Sequence, residues 1–281
     1  MKALFVYSRD SGRKDFQKSI SYVRKKLSSV FETMDFCLSL SVEDSSSLYE
    51  SAAKIYDALI VVGGDGTFHH ALNVLMTLKR RPILGFINHG TLGDMGKSFG
   101  VRKSLRSAIK VLKKQNIKTI DVGKLETKEG DYYFAYCAAF GTYSDLSYVA
   151  KRGQKKHLGP LAYYLLSLKQ IFNREKTDYR RDGEKKTVSF SMVLNGKWMG
   201  GFKINSQSSL TDGVFELYEV SGGAFNGLLK FLPFKRIKPT IVSSASFTGL
   251  SQKEWCLDGE KGPKGDAKLQ LIPHVLRVFS L

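Results

Sequence analysis

The chain has 281 residues, of which 42% are hydrophobic, so it is long enough to build a substantial core. Lysine and arginine outnumber aspartate and glutamate by 44 to 26, and the formal net charge of +18 favours an anionic partner. No apolar run approaches the roughly 18 residues of a membrane-spanning helix. The three cysteines lie far apart and fit no metal-binding spacing, which predicts reduced thiols and a cytoplasmic location.

Basic residues are concentrated between residues 149 and 187. No nucleic-acid motif with ordered stacking aromatics accompanies them, so no nucleic-acid partner is expected. An anionic membrane surface is the better match, because each basic residue near anionic lipid contributes about 1 kcal/mol. The sequence therefore predicts a cytoplasmic protein that associates peripherally with a membrane, with charge for solubility alone as the alternative.

Strands and helices alternate through the first part of the chain. Short apolar runs rich in β-branched residues predict strands at residues 3–7, 35–41, 58–62 and 83–87. Apolar spacings of three and four, with capping residues, predict helices at residues 16–30, 45–55, 68–78 and 104–115. This alternation is typical of a Rossmann-like, mostly parallel α/β sheet.

The most informative stretch is residues 63–67, Gly-Gly-Asp-Gly-Thr, between the third strand and the next helix. Glycine takes positive φ freely and lets a phosphate approach the backbone, and Thr67 is predicted to be the helix N-cap. A strand, a glycine turn and a helix N-terminus bind phosphate in open α/β sheets. Asp65 would repel a phosphate, so it is expected to act through a metal ion or to orient the loop and a nucleophile. The alternative is a Gly-Asp-Gly turn with no ligand.

A second polar glycine loop follows the fourth strand at residues 88–94, Asn-His-Gly-Thr-Leu-Gly-Asp. Both loops come directly after strands of the same predicted sheet. Because the carboxyl ends of parallel strands meet at one edge, we expect the two loops to face the same crevice. That crevice is the first place to look for a bound ligand.

After about residue 121 the pattern changes to short strands. They are predicted at residues 132–140, 187–194, 197–204, 214–220, 240–247, 269–272 and 275–279. Asn195-Gly196 predicts a hairpin with a type I′ turn, and only residues 159–172 are clearly helical. We therefore expect an α/β nucleotide-binding domain at residues 1–121 and a C-terminal antiparallel β-sandwich at residues 122–281, whose last strand could return to the first domain.

Five segments in order resemble the diacylglycerol kinase catalytic family, which includes short bacterial lipid kinases and the sphingosine kinases. Residues 63–67 match that family's nucleotide loop. The other matches are its second loop at residues 90–94, its mid-chain helix at 158–163, its strand entry at 211–216 and its Asp-Gly-Glu at 258–260. An Asp-Gly pair alone is usually just a turn, but the order and spacing hold over nearly the whole chain.

The resemblance implies transfer of the γ-phosphate of ATP to a lipid hydroxyl with Mg²⁺, by default from diacylglycerol to phosphatidic acid. It implies nucleotide contacts from Ser8, Ser11, Gly12, Gly63, Gly64, Asp65, Gly66, Thr67, Phe68, His69, Gly90, Thr91 and Asp94. It assigns catalysis to Asp65, acting through Mg²⁺ and ordered water, and to Glu260 as the acceptor of the hydroxyl proton. A structural Mg²⁺ is implied at the Asp212 side chain and the carbonyls of Ser209 and Val214, oxygen ligands that suit this ion.

The chain also departs from related kinase patterns. It has no GxxxxGK[ST] loop and no HRD or DFG set, so it is neither a P-loop kinase nor a protein kinase. His69 and His70 stand where the family usually has Asn-Glu, and adjacent helical residues point about 100° apart, which disfavours joint metal binding. Asn88 and His89 replace a proline-containing approach, and Gly93 replaces the usual asparagine.

Two alternatives to a lipid kinase stay open. NAD kinase shares the Gly-Gly-Asp-Gly-Thr stretch, although its Gly-Ser-Thr-Ala-Tyr segment is absent from this sequence. A non-catalytic nucleotide- or membrane-binding protein on the same fold would explain the altered loop residues. The expected partners are ATP and a lipid substrate at an anionic membrane surface, and a homodimer is left open.

Overall fold

The computed structural model describes residues 1–8, 16–90, 93–141, 176–221, 238–251 and 253–281. The chain forms two compact units, Met1–Ile120 with His274–Leu281, and Asp121–Pro273. Within the described residues, no helix has both the length and the apolar character needed to cross a membrane. The predicted turn at residues 9–13 and the predicted helix at residues 159–172 lie outside the described residues.

The first unit is built on a parallel sheet. Its strands are β1 (Lys2–Ser8), β2 (Thr33–Ser39), β3 (Ala58–Gly63), β4 (Ile83–Asn88) and the end of β18 (Ala267–Phe279). They run in the order β2-β1-β3-β4-β18, and each neighbouring pair is parallel. Strands β3 and β4 are buried along their whole length, as expected for continuous apolar runs covered on both faces. This arrangement confirms the Rossmann-like α/β prediction.

Helices cover both faces of this sheet. They are a 3₁₀ helix (Phe16–Ser19), α1 (Ile20–Leu27), α2 (Val42–Ile55), α3 (Asp65–Met76), α4 (Asp94–Ser98) and α5 (Leu105–Lys114). The connection from β1 to β2 runs along the sheet in the opposite direction from those that lead to β3 and β4. Because such crossovers are right-handed, α1 lies on one face and α2 and α3 lie on the other. Helix α5 packs beside α1, and α2 packs beside α3.

Two helices begin earlier than the sequence predicts. Helix α2 begins at Val42, since Ser41 rather than a later serine is the N-cap and its Oγ accepts the Asp44 N–H at 3.1 Å. Helix α3 begins at Asp65 with Gly64 as its N-cap, so the prediction of Thr67 as the cap is wrong. Thr67 lies in the first turn, where its N–H donates to the Gly64 carbonyl at 2.9 Å.

The second unit is a β-sandwich, which confirms the predicted fold class. Its strands are β5 (Ile117–Thr127), β6 (Gly130–Phe134), β7 (Cys137–Gly141), β8 (Thr177–Arg181), β9 (Glu184–Val188), β10 (Phe190–Leu194), β11 (Trp198–Met199), β12 (Phe202–Lys203), β13 (Phe215–Val220), β14 (Thr240–Val242), β15 (Ser244–Thr248), β16 (Glu254–Leu257), β17 (Glu260–Lys264) and the start of β18. One antiparallel layer has the order β14-β13-β10-β7-β16-β17. The other contains β18-β15-β8-β9, with β5 paired to β18 and β6.

Aromatic side chains fill the space between the two layers. The Phe140 ring contacts Tyr179, Phe247 and Trp255 at centroid distances of 5.2, 5.9 and 4.7 Å. All four side chains are at most 3% exposed, and they belong to strands of both layers. Edge-to-face packing of this kind supplies both buried area and a fixed geometry.

The predicted hairpin at Asn195-Gly196 is wrong. Strand β10 pairs with β7 and β13, while β11 and β12 pair with each other. Asn195 is fully buried, and its side-chain amide donates to the carbonyls of Asp121 at 3.1 Å and Ala135 at 2.9 Å. Gly196 has φ +122° but Asn195 does not have positive φ, so the type I′ conformation is not formed. The Asn195-Gly196 pair is therefore buried, and the hydrogen bonds of the Asn195 side chain hold it in the second unit.

Four other strand predictions need new boundaries. Residues 187–194 divide between β9 and β10, which lie in different layers. Residues 132–140 form parts of two strands, β6 and β7, and residues 240–247 divide between β14 and β15, which lie in different layers. Conversely, the two strands predicted at residues 269–272 and 275–279 are one strand, β18, which continues through Pro273. The chain belongs to the second unit up to Pro273 and to the first unit from His274 onward.

Candidate active site

The turn after β3 is closely packed against the first turn of α3. A Cβ added at Gly63 would lie 2.1 Å from the Thr67 Oγ1, so the threonine side chain occupies that space and only glycine fits there. The N–H groups of Asp65 and Gly66 begin the helix, ahead of the Thr67 N–H that donates to the Gly64 carbonyl. The arrangement is therefore a helix N-terminus with a bare backbone in front of it, which is suited to an anion.

The two glycine loops touch each other through their backbones. The His89 N–H donates to the Gly63 carbonyl at 2.8 Å. A Cβ added at Gly90 would lie only 2.7 Å from the Gly64 Cα. The second loop therefore lies directly against the first, as predicted from the parallel order of β3 and β4.

Asp65 joins the two loops by hydrogen bonds. Its Oδ2 accepts the N–H groups of Gly93 at 2.8 Å and Asp94 at 3.2 Å, and its Oδ1 accepts the Met95 N–H at 3.1 Å. Gly93 reaches this position with φ +68°, a conformation that favours glycine. The Asp65 carboxylate thus holds the start of α4 and fixes the second loop, which favours the loop-orienting role among the two considered for it.

The electrostatic environment of Asp65 raises its pKa. Burial is the main cause and the neighbouring Asp94 carboxylate adds to it, while the three backbone amides oppose them, leaving a pKa of about 6. Asp94 itself is 1% exposed and its Oδ1 receives the Lys97 ammonium at 3.2 Å. The charge of the Asp65 carboxyl group therefore changes near physiological pH.

The pKa of Asp65 predicts an acid limb in the pH profile of the reaction. Below about pH 6 the carboxyl group gains a proton, and the protonated oxygen becomes a donor facing amide donors, so the second loop loses acceptors. We expect kcat/KM to rise with pH through this region and to level off above it. A pH profile with buffers of constant ionic strength measures this, and a flat profile between pH 5 and 7 would contradict it.

Asn88, at the end of β4, supports the second loop in a way that sequence reasoning missed. It is 3% exposed, and its Oδ1 accepts the Gly90 N–H at 3.0 Å. A Cβ added at Gly93 or Gly96 would lie 2.1 or 2.6 Å from its Nδ2, so both glycines make room for this amide. The sequence did contain a signal for this role. Asn88 is the last residue of a buried strand, and the Gly-x-x-Gly spacing of Gly90 and Gly93 follows it.

The two adjacent histidines of α3 make separate local contacts. His70 packs against Tyr49, and its Nε2 lies 3.1 Å from the Ser46 Oγ, while burial lowers its pKa. The His69 Nε2 lies 3.3 Å from the Asn73 Nδ2 one turn along the helix. These contacts agree with the expectation that the pair does not chelate one metal ion.

The other residues predicted to contact the nucleotide lie in different parts of the structure, and some lie outside the described residues. Ser8 ends β1, whereas Ser11, Gly12 and Thr91 lie outside the described residues. The Phe68 side chain is fully buried, with its ring 5.5 Å from Phe86 and 5.4 Å from Phe99, so it packs in the core and does not line the glycine loop. Any contact of Phe68 with a nucleotide would therefore be made by its backbone, and its role as a nucleotide contact stays a prediction.

In the second unit, hydrogen bonds from the neighbouring backbone hold the Asp258-Gly259 turn in place. Both residues have positive φ, 51° and 81°, as a two-residue type I′ turn requires between β16 and β17. The Asp258 carboxylate accepts the N–H groups of Ala135 at 2.7 Å, Tyr136 at 2.9 Å and Cys137 at 3.0 Å. Glu260 follows directly, partly exposed, at the first position of β17. The turn therefore fixes the backbone from which the predicted base projects.

The loop proposed for the structural Mg²⁺ closes on Asp212. The Ser209 N–H donates to the Asp212 Oδ2 at 3.1 Å and the Val214 N–H lies 3.4 Å from its Oδ1. The carboxylate is exposed and each oxygen keeps acceptor capacity, so these residues fit a hard cation. Among the described ranges, no cluster of three or more His, Cys, Asp or Glu side chains could hold a metal, so carbonyls and water would have to complete the ligand set.

A buried carboxylate lies close to this loop. Glu216 is 4% exposed and its pKa is raised, chiefly by burial and in part by Asp212. The Gly213 N–H donates to the Oδ2 of the buried Asp121 at 2.8 Å, which fixes the loop from the other side. The sequence match at residues 211–216 gave no indication of these two supports.

Comparisons with known proteins agree with the fold and the loops. Residues 2–125 match the diacylglycerol kinase catalytic domain. The chain is 28% identical to a diacylglycerol kinase of Staphylococcus saprophyticus, covering 99% of this chain and 95% of that one, and 29% identical to one of Bacillus subtilis, covering 77% and 72%. The fold matches the crystal structure of a diacylglycerol kinase from Bacillus anthracis with a TM-score of 0.84 at 22% identity, covering 100% and 97%. The match of residues 2–125 to this catalytic domain, together with the likeness to these diacylglycerol kinases, indicates that the chain is a lipid kinase.

Proposed function

We propose that this lipid kinase transfers the γ-phosphate of ATP to the free hydroxyl of diacylglycerol and so forms phosphatidic acid. The observation that carries the proposal is the Asp65 carboxylate, which binds three amides of the second glycine loop. It makes a single rigid cradle from two loops at the carboxyl edge of the sheet. The diacylglycerol kinase of Staphylococcus saprophyticus, which matches over 95% of its length, supports the choice of acceptor.

The cradle suits phosphate without a lysine from a P-loop. The N–H groups of the first turn of α3 and the helix dipole favour negative charge in front of Gly64. The missing Cβ of Gly63 makes room for the Thr67 side chain, and those of Gly64 and Gly90 let the two loops approach each other and form the cradle. Phosphoryl transfer depends mostly on positioning and charge stabilisation, which such a backbone site supplies.

Mg²⁺ is the cofactor we propose with ATP. When bound, it would supply charge neutralisation for the transferring phosphoryl group. Asp65 would influence the ion through ordered water, since its own oxygens already accept three amides. Asp212, with the carbonyls of Ser209 and Val214, would hold a second, structural ion in the other unit.

We propose Glu260 as the group that accepts the proton of the lipid hydroxyl. The anchored turn before it sets its direction, and a carboxylate is a sufficient general base for an alcohol whose proton leaves as phosphoryl transfer proceeds. The Glu260→Gln substitution keeps the size of the side chain but removes the basic oxygen. We expect kcat to fall about 100-fold with little change in the KM for ATP.

The control for this substitution is Glu184→Gln, which changes an exposed glutamate of the same unit. Both variants are assayed for kcat and KM with diacylglycerol in mixed micelles. A Glu260→Gln enzyme with the turnover of the parent would remove the residue from the mechanism. An equal loss in the Glu184 variant would indicate a general effect of charge.

The acceptor is tested with labelled ATP and Mg²⁺ against diacylglycerol, sphingosine and NAD in parallel reactions. Label in diacylglycerol at rates above the other acceptors supports the proposal. Label in sphingosine alone would make it a sphingoid kinase, and label in NAD alone would replace the lipid by a dinucleotide. Bound ATP without transfer to any acceptor would favour a non-catalytic relative.

We also propose that the enzyme works at the cytoplasmic surface of an anionic membrane, where its lipid substrate is located. The strongly basic composition supports this location. The basic stretch at residues 149–187 lies mostly outside the described residues, so its part in membrane binding stays a prediction.

A further inference from the structure

The two helical faces of the first unit have opposite charge. One face is formed by the 3₁₀ helix, α1, α5 and the segments that flank α5, and we call it the basic face. The opposite face is formed by α2 and α3. This division follows from the strand order and the crossovers, so it is a property of the fold as well as of composition.

In the part of the basic face that the structure describes, many side chains are basic and none is acidic. Residues 16–31 and 95–120 contain no aspartate or glutamate at all. The exposed basic residues of these segments are Lys18, Arg24, Lys25, Lys26, Arg102, Lys103, Arg106, Lys110, Lys113, Lys114 and Lys118. Like charges this close repel one another, so the cluster costs stability unless a partner neutralises it.

The opposite face is acidic. Helix α2 has Glu43, Asp44 and Glu50 against a single basic residue, Lys54. Helix α3 has no lysine or arginine, and its one carboxylate, Asp65, is bound to the second loop. If the positive charge served solubility alone, both faces would be expected to share it. The segment after α3 is basic at residues 79–81, but its two arginine side chains bind the carbonyls of Ala53 and Leu75. Helices α2 and α3 themselves therefore carry a small net negative charge, whereas α1 and α5 are strongly basic.

Helix folding does not account for the charge on α5. Its N-cap Ser104 accepts the Ser107 N–H, and its buried side is formed by Ala108, Ile109, Val111 and Leu112. Only Lys113 and Lys114 lie in the last turn, where cations favour the helix dipole. Arg106 and Lys110 project from the exposed side and have no such role.

We propose that the basic face is the surface by which this enzyme binds an anionic phospholipid bilayer. The inference rests on the proposed function, because a kinase acting on diacylglycerol finds its substrate in a membrane. A bilayer is a broad plane of negative charge, which matches cations spread over two neighbouring helices. Among the described residues of these helices, Tyr22 is the only exposed aromatic, so the stacking platform of a single-strand nucleic-acid binder is lacking.

The acidic residues of α2 would orient the first unit on the membrane. Glu43, Asp44 and Glu50 are repelled by the same bilayer that attracts α1 and α5. The first unit would therefore meet the membrane in one orientation. Each basic residue near anionic lipid is expected to raise partitioning about fivefold, and the attraction falls within a Debye length.

The test uses a fourfold variant of the basic face, Lys25→Gln, Arg106→Gln, Lys110→Gln and Lys113→Gln. Its matched control removes the same charge from exposed lysines of the second unit by Lys128→Gln, Lys185→Gln, Lys264→Gln and Lys268→Gln. Binding is measured without ATP by sedimentation with vesicles of phosphatidylcholine mixed with phosphatidylglycerol, beside vesicles of phosphatidylcholine alone. Thermal unfolding checks that both variants fold.

We expect the basic-face variant to lose at least about tenfold in partitioning onto anionic vesicles, and the control to lose far less. We expect both variants to phosphorylate diacylglycerol in neutral detergent micelles as the parent does. That second readout separates the two proposals, since a parent without activity in micelles would refute the acceptor and leave the vesicle result standing. Unchanged binding, an equal loss in the control, or stronger competition by RNA than by vesicles would overturn the basic face.

Discussion

An Asp65→Asn variant is expected to fold normally and to lose about a thousandfold in kcat/KM for phosphoryl transfer. The carboxylate accepts three backbone N–H groups through both oxygens, whereas an amide in its place keeps one acceptor oxygen and turns its NH2 group toward the donors on the other side. The start of α4 would then separate from the first glycine loop. The loss should appear mostly in kcat, because the cradle must be rigid when charge moves in the transition state.

The experiment compares kcat and KM for ATP in the parent, Asp65→Asn and a Glu50→Gln control. Glu50 is an exposed carboxylate on α2 of the same unit, so the control has the same change of charge outside the loops. Melting temperatures of the three proteins separate misfolding from lost catalysis. Activity of Asp65→Asn close to that of the parent would show that the tie between the loops is dispensable.

An Asp258→Ala variant is expected to lower the free energy of unfolding by about 3–5 kcal/mol. The side chain is 2% exposed and accepts three N–H groups of the chain between β6 and β7. Its removal leaves those donors buried without an acceptor. Alanine also tolerates the φ of +51° less well than aspartate does.

Chemical denaturation monitored by tryptophan fluorescence measures this effect, since Trp255 lies on the neighbouring strand β16. Asp258→Asn should show an intermediate loss, because asparagine accepts positive φ and keeps one acceptor oxygen. Glu129→Ala, at an exposed turn of the same unit, is the control. Equal stability of Asp258→Ala and the control would mean that the three hydrogen bonds add nothing net.

The Asp-Gly-Glu motif contains one carboxylate that supports the fold, Asp258, and one that is proposed to act in catalysis, Glu260. The family resemblance gives Glu260 the role of proton acceptor and gives Asp258 no role of its own. In the structure Asp258 is enclosed by the backbone and only Glu260 is partly exposed. Buried hydrogen-bond partners far along the chain decide this difference, and no local pattern contains them.

The first unit was largely predictable because its strands are buried on both faces. Continuous apolar runs such as residues 58–62 and 83–87 predict parallel strands, and the glycine loops after them lie together for the same reason. The start of α3 was missed because Gly64, without a capping side chain, begins the helix in place of Thr67. Gly64 also lies directly against Gly90 of the second loop, a long-range contact that no local pattern contains.

The second unit was predictable in class but not in pairing. Asn195-Gly196 has the strongest local hairpin signal, yet the Asn195 side chain is buried and donates hydrogen bonds to the carbonyls of Asp121 and Ala135. The actual tight turn between β8 and β9 is Asp182-Gly183, with φ of 52° and 87°. An Asp-Gly pair between polar, charged runs gave too little apolar alternation to distinguish it from other loops.

Strand β18 has a consequence for the order of events during synthesis. The sheet of the first unit is completed by residues near Val278, which pair with β4, whereas β4 itself ends at Asn88. At about 5–20 residues per second, a ribosome needs on the order of 10 s or more to make the intervening chain. Strand β4 is therefore an unpaired edge of the N-terminal sheet until the residues near Val278 have been translated. Chaperones that cover exposed strand edges would act during that interval, and the nucleotide cradle would be among the last parts of the protein to become rigid.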